Sequence, residues 1–172
     1  MLTWSWGESM KTGKLTVLAL VTALAMVLSF IESQIPAFVA VPGVKVGLAN
    51  IAVVFALYKL GWKAAGAVSL VRVFTVSVLF GSVMSLFYSA AGAVLSLIGM
   101  ILLKKTERFS CVAVSVAGGV LHNVGQIAMA CILLETNIIK YYLPILIITG
   151  TIAGIVVGAA GGELVKRVKI KE

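Results

Sequence analysis

The segment YLPILIITGTIAGIVVGAAGGELV, from Tyr142 to Val165, is a long apolar run that indicates a membrane-spanning helix. A helix needs about 20 mostly apolar residues to cross the hydrocarbon core of a bilayer, and this stretch is long enough. Its glycines recur every four residues and therefore lie on one helix face: Gly150, Gly154, Gly158 and Gly162. Small residues let helix backbones approach closely in lipid. We expect this face to pack against a neighbouring helix of the same chain, with a surface for a partner protein as the alternative.

The rest of the chain repeats this apolar pattern. It is 61% hydrophobic and 12% charged, with a mean hydropathy of +1.14, whereas soluble domains carry about 25% charged residues. The composition excludes a soluble enzyme and predicts an all-α integral membrane protein with six transmembrane helices. They form one domain, residues 15–165, between a cytoplasmic segment, 1–14, and a basic cytoplasmic tail, 166–172. The other five predicted helices are Leu15–Ile31, Lys45–Leu60, Ala64–Phe80, Ser82–Leu103 and Phe109–Leu134.

The basic residues predict the orientation. The net charge is +8, but no basic helix with interleaved aromatics indicates a nucleic-acid partner. Cytoplasmic loops of membrane proteins are enriched in lysine and arginine. With an internal N-terminus only Lys45 and Lys140 fall in outer segments, so we expect both termini in the cytoplasm of a bacterial inner membrane. The predicted cytoplasmic cations are Lys11, Lys14, Lys59, Lys63, Lys104, Lys105, Arg108, Lys166, Arg167, Lys169 and Lys171.

Polar residues within the predicted spans indicate a site. An arginine at the centre of a membrane helix costs about 2.5–3.5 kcal/mol on insertion scales, so such residues usually face the protein interior. In the predicted topology the polar residues lie at or outside the mid-plane, which favours a substrate pocket open to the outer side. Lys45 and Arg72 outnumber Glu32, which indicates a ligand with an anionic group. A purely structural polar network is the alternative. The candidate substrate-binding residues are Glu32, Lys45, Asn50, Arg72, Tyr88, His122, Asn123 and Gln126.

The sequence contains no recognisable catalytic site. All six acidic residues are glutamates, so no aspartate pair can hold magnesium. His122 is the only histidine, and no cysteine or glutamate lies near it in sequence, which argues against a metal site. Neither a phosphate-binding loop nor a dinucleotide fingerprint occurs. We therefore expect no catalytic residue, metal or cofactor, and any uphill transport would draw on a partner or an ion gradient.

Several motifs resemble a known bacterial membrane family over about Lys14 to Lys166. The family is called heptaprenyl diphosphate synthase component I and also the Gx transporter family. One matching motif is VPGVKVGLAN, residues 41–50. The further matching motifs are Leu70–Val73, Leu79–Ser82, Ser115–Gln126 and Tyr141–Pro144.

The resemblance implies two functions from different classes. The family name implies a part in making a polyprenyl diphosphate for menaquinone, and without aspartate this chain would be a non-catalytic accessory of a soluble prenyl diphosphate synthase. The six-helix layout is instead similar to the S components of energy-coupling factor transporters. Those proteins bind substrate from outside and dock on a transmembrane subunit driven by ATPases, through an Ala-x-x-x-Ala surface on the first helix. Ala19 and Ala23 match that spacing. Apart from these two, a scaffold in a quinone-related electron-transfer assembly is a third hypothesis.

Overall fold

The computed structural model describes residues 12–34 and 47–168. Within these ranges the chain is helical and contains no strand, so the all-α prediction is confirmed. The elements, in chain order, are α1 (Thr12–Gln34), α2 (Asn50–Lys59), α3 (Trp62–Phe80), α4 (Val83–Lys105), α5 (Cys111–Leu133), a short 3-10 helix (Ile138–Tyr142) and α6 (Leu143–Arg167).

Local sequence determines where the helices begin. The hydroxyl of Ser82 accepts the Ser85 N–H at 3.2 Å, and the hydroxyl of Ser110 accepts the Ala113 N–H at the same distance. Each serine thus satisfies a backbone donor that the first turn of α4 or α5 leaves free. Between α2 and α3 the chain turns at Gly61, whose φ of +94° favours glycine.

Five helices, all except α2, are long and apolar enough to cross a membrane. Their outer faces carry large apolar side chains: Leu20 and Leu70 are each 70% exposed and Ile132 is 69% exposed. Contiguous apolar surface of this kind is rare on soluble monomers and marks contact with lipid or another protein. The chain is a multi-pass membrane protein.

The second helix is shorter than predicted. It begins at Asn50, after a turn at Gly47–Ala49, and Lys45 lies outside the described residues. Its 10 residues span about 15 Å, half of the roughly 30 Å hydrocarbon core. The run Ala52–Leu57 is buried on every side, among α1, α3 and α6. At its C-terminal end the Lys104 Nζ donates to the Leu57 carbonyl at 2.6 Å.

Three of the four regularly spaced glycines of α6 face α5 at close range. A Cβ at Gly154 would lie 2.6 Å from the Val116 Cα, and one at Gly158 would lie 2.7 Å from the Val112 Cα. Gly150 approaches the α5 backbone at Gly119 in the same way. At Gly162 the nearest atoms would be 3.7 Å away, an ordinary contact. The two backbones are therefore closest over the middle of the bundle and separate toward the C-terminal end of α6.

Candidate functional site

A cavity of about 110 Å³ lies inside the bundle, lined by all six α-helices and by Gly47. A site of this size holds several water molecules or a small ligand. Six of the eight predicted site residues line it: Glu32, Asn50, Arg72, His122, Asn123 and Gln126. Tyr88 does not line the cavity, although its neighbour Ser89 does. The helices thus bring together residues that lie far apart in sequence.

Arg72 supplies the positive charge of the cavity. It lies near the middle of α3, and its Nε is buried with no hydrogen-bond partner among the described residues. Buried polar groups are almost always hydrogen-bonded, and an unpaired buried charge is costly. Arg72 interacts electrostatically with Glu32. No hydrogen bond or salt bridge joins the two side chains, both of which lie in the described part of the chain. Arg72 lines the cavity, and its guanidinium therefore keeps a donor that no described residue uses.

Glu32 supplies the negative charge and shapes the rim. Its Oε1 accepts the N–H of Gly47, which ties the last part of α1 to the turn before α2. Gly47 adopts φ +76°, a conformation that favours glycine, and its carbonyl accepts the Asn50 N–H at 2.8 Å. These contacts place the beginning of α2, and with it Asn50, at the cavity wall.

His122 and Gln126 lie one helical turn apart on α5, where α5 crosses α4. A Cβ at Gly92 of α4 would lie 2.7 Å from the His122 carbonyl oxygen and 2.9 Å from the Gln126 Cγ. On α5, at the same contact, a Cβ at Gly125 would lie 2.8 Å from the Gly92 Cα. Two glycines thus allow the close approach that holds these polar side chains in the wall.

Asn123 has a structural contact as well as a place in the wall. Its Nδ2 donates to the Leu146 carbonyl of α6 at 2.5 Å. The same atom would lie 2.6 Å from a Cβ at Gly150, so the glycine makes room for the amide. One N–H of the Asn123 amide is therefore already engaged between α5 and α6.

Sequence reasoning missed the hydroxyl groups of the cavity. Serine is frequent in membrane helices and cheap to bury, so a single serine carries little signal. The spacing of the α4 serines does carry a signal, because Ser85, Ser89 and Ser96 follow the helical repeat and lie on one face of the helix. The serines that line the cavity are Ser29, Ser77, Ser85, Ser89, Ser96 and Ser115.

The predicted docking residues lie on the outside of α1. Ala19 and Ala23 are exposed, whereas Ala25 and Ser29 face inward and are buried. Bulky exposed side chains flank the alanines, with Leu20 at 70% and Leu24 at 46% exposure. The first helix thus presents small and large residues together on its outer face.

Comparison with known proteins gives a family and no individual relative. No curated protein and no solved structure matches the chain. Residues 21–164 match the family described as heptaprenyl diphosphate synthase component I. This range includes α2 to α5, nearly all of α6 and every described residue of the cavity wall. The chain belongs to the heptaprenyl diphosphate synthase component I family.

Proposed function

We propose that the chain captures a small, anionic or amphipathic molecule in the cavity around Arg72, in the manner of an S component of an energy-coupling factor transporter. The observation that carries the proposal is the buried Nε of Arg72, which has no hydrogen-bond partner among the described residues and belongs to a side chain that lines the cavity. A protein that only needed a stable interior would gain by pairing this charge or removing it.

The cavity wall suits a ligand with several polar atoms. Arg72 would hold its anionic group, and Asn50, His122 and Gln126 would bond its other polar atoms. Lys45, outside the described residues, remains a candidate for the same anionic group. Asn123 would contribute its side-chain carbonyl oxygen or its second amide N–H, since one amide N–H already donates to the Leu146 carbonyl. Tyr88 is not in the cavity wall, so its stacking on the ligand stays a prediction.

We further propose that the ligand enters from the outer side of a bacterial inner membrane, with both termini in the cytoplasm and six helices in the bilayer. The cationic residues at one end of the bundle support this orientation, because such residues concentrate on the cytoplasmic side. The cations at this end, among the described residues, are Lys14, Lys59, Lys63, Lys104, Lys105, Arg108, Lys166 and Arg167.

Ligand capture is tested on the purified full chain. Native mass spectrometry should detect a bound small molecule, and Arg72→Ala should lose it while Lys140→Ala, which removes an exposed cation, should retain it. The loss of a charged hydrogen bond predicts about tenfold or more weaker binding. An Arg72→Ala protein that folds and keeps its ligand would remove Arg72 from the site.

Docking on a transporter subunit has its own test. We propose that Ala19 and Ala23, which are exposed on α1, meet the transmembrane subunit of an energy-coupling complex. A leucine at either position should block co-purification with that subunit without unfolding the chain. Ala67→Leu, at an exposed alanine on α3, is the control. Equal recovery of all three variants would argue that the α1 face meets lipid.

The family description favours a second function: a non-catalytic membrane subunit of a heptaprenyl diphosphate synthase. The sequence contains no aspartate, so another subunit would have to supply an aspartate-rich site. Affinity purification from the native membrane separates the two functions. Recovery of a soluble prenyl diphosphate synthase, with no transporter subunit, would favour the accessory role.

A further inference from the structure

The cavity wall contains two opposite charges that do not neutralise each other by direct contact. Among its described residues Arg72 and Glu32 are the only lysine, arginine, aspartate or glutamate side chains. We infer that the ligand is a small zwitterion whose anionic group binds Arg72 and whose cationic group binds Glu32. This inference rests on the proposed function and names the class of molecule that the same cavity takes.

The Arg72 end suits a carboxylate. A guanidinium presents its donors in a planar fork that matches the two oxygens of a carboxylate. The Nε is one arm of that fork, and it is the buried donor that lacks a partner among the described residues. A ligand carboxylate satisfies this donor and compensates the buried positive charge.

The Glu32 end suits an ammonium group. The Gly47 N–H that donates to Oε1 is neutral, so it satisfies one oxygen and leaves the negative charge of Glu32 uncompensated. Within the described ranges, no hydrogen bond or salt bridge links Glu32 to Arg72, although the two interact electrostatically. A molecule between them that carries both charges brings each one a close partner.

The same charges disfavour a diphosphate headgroup. A diphosphate would place at least two negative charges beside Glu32 with Arg72 as the single described cation, and like charges at short range are strongly unfavourable in a low-dielectric interior. The cavity, about 110 Å³, has room for a compact molecule. The serine hydroxyls, which can both donate and accept, fit a small molecule with further polar atoms.

Matched pairs of probes test the inference on the purified full chain. L-Alanine and L-serine are compared with propionate and 3-hydroxypropionate, which lack only the amino group, by calorimetric titration and by the ligand-induced shift in Tm. We expect saturable binding of a zwitterion and about tenfold or more weaker binding of its des-amino partner.

The substitution Glu32→Gln tests whether the charge of Glu32 strengthens or weakens binding of the amino acid. Glutamine keeps an acceptor for the Gly47 N–H but removes the charge, so the variant should lose the preference for the amino acid while remaining folded. Glu135→Gln, which removes an exposed carboxylate, should leave that preference intact.

Opposite results overturn the inference. If Glu32→Gln binds the probes more tightly, or if propionate binds as well as alanine, the ligand is an anion and capture by Arg72 still stands. A co-purified ligand without a cationic group has the same meaning. If no probe binds and no ligand co-purifies, the zwitterion inference and the proposed function both fail.

Discussion

At Gly92 the backbones of α4 and α5 approach so closely that a methyl group has no room. The first atom that it would meet is a backbone oxygen, that of His122, which cannot move aside as a flexible side chain could. The absence of a side chain at Gly92 therefore decides where His122 and Gln126 lie.

Replacing Gly92 by alanine should separate α4 from α5 and displace two polar groups of the cavity. We expect a loss of about 1–3 kcal/mol in the free energy of unfolding, as for other overpacked interiors, together with weaker ligand binding. Unfolding in a denaturing detergent and ligand titration measure the two effects. Gly66→Ala is the control, because its Cβ would lie 3.6 Å from the nearest atom, Leu97 Cδ2. Equal effects of both substitutions would contradict the close-approach argument.

The sequence predicts those residues of the site whose side chains are costly to place in contact with lipid. Arg72, His122 and Gln126 stand out in an apolar helix because each needs an interior environment. Their partners could not be predicted, because contacts such as Asn123 to Leu146 depend on the rotation of two helices about their axes. The serine lining escaped notice because a hydroxyl can bond within its own helix.

Helix α2 depends on a neighbouring helix for a hydrogen bond to one of its last backbone carbonyls. The last carbonyls of any helix lack intrahelical partners, and Lys104 of α4 supplies a donor to Leu57. The ammonium group of Lys104 also lies 4.9 Å from the centroid of the Tyr58 ring. A cation at the C-terminal end of a helix interacts favourably with the helix dipole as well.

Lys104→Ala should leave the Leu57 carbonyl without this donor and destabilise the bundle by about 1–3 kcal/mol. The neighbouring Lys105 is exposed, so Lys105→Ala should change stability by no more than about 0.5 kcal/mol. Both variants lose one positive charge at the same end of α4, so the difference between their unfolding free energies isolates the contact. Equal stabilities would show that the Lys104–Leu57 contact contributes nothing.

The contact between α5 and α6 is close at Gly154 and looser at Gly162. Gly154→Ala places a methyl group against the Val116 Cα and should destabilise the protein, whereas Gly162→Ala on the same helix meets its nearest atoms at 3.7 Å. We expect a loss of about 1–3 kcal/mol for the first variant and little change for the second. Detergent-induced unfolding measures both. The reverse order would mean that the helices separate easily at Gly154.

The sequence predicted that each helix exists more reliably than it predicted where the helix begins and ends. The apolar stretches of α3 to α6 were each long enough to identify. The predicted second helix extended back to Lys45, whereas α2 begins at Asn50 after a turn at Gly47. Hydropathy cannot distinguish a short helix buried in protein from one that meets lipid, because both are apolar on all sides.

At the scale of the whole molecule, the proposed orientation predicts which loops are accessible from outside the cell. In a background of Cys111→Ser and Cys131→Ser, Asn137→Cys should react with an impermeant maleimide on intact cells. Thr106→Cys should react only after the membrane is opened. Both positions lie between helices, Asn137 before the short 3-10 helix and Thr106 after α4. The opposite labelling pattern would invert the topology and place the ligand entrance on the cytoplasmic side.

The burial of α2 also has a consequence for how the protein is made. In the folded protein the run Ala52–Leu57 has little contact with lipid, and the 10 residues of α2 are about half of what a span requires. Its place in the membrane therefore depends on contacts with helices synthesised both before and after it. Because α6 packs against α2 and contributes to the cavity wall beside Asn50, neither the packing of α2 nor the cavity is complete before α6 has been synthesised.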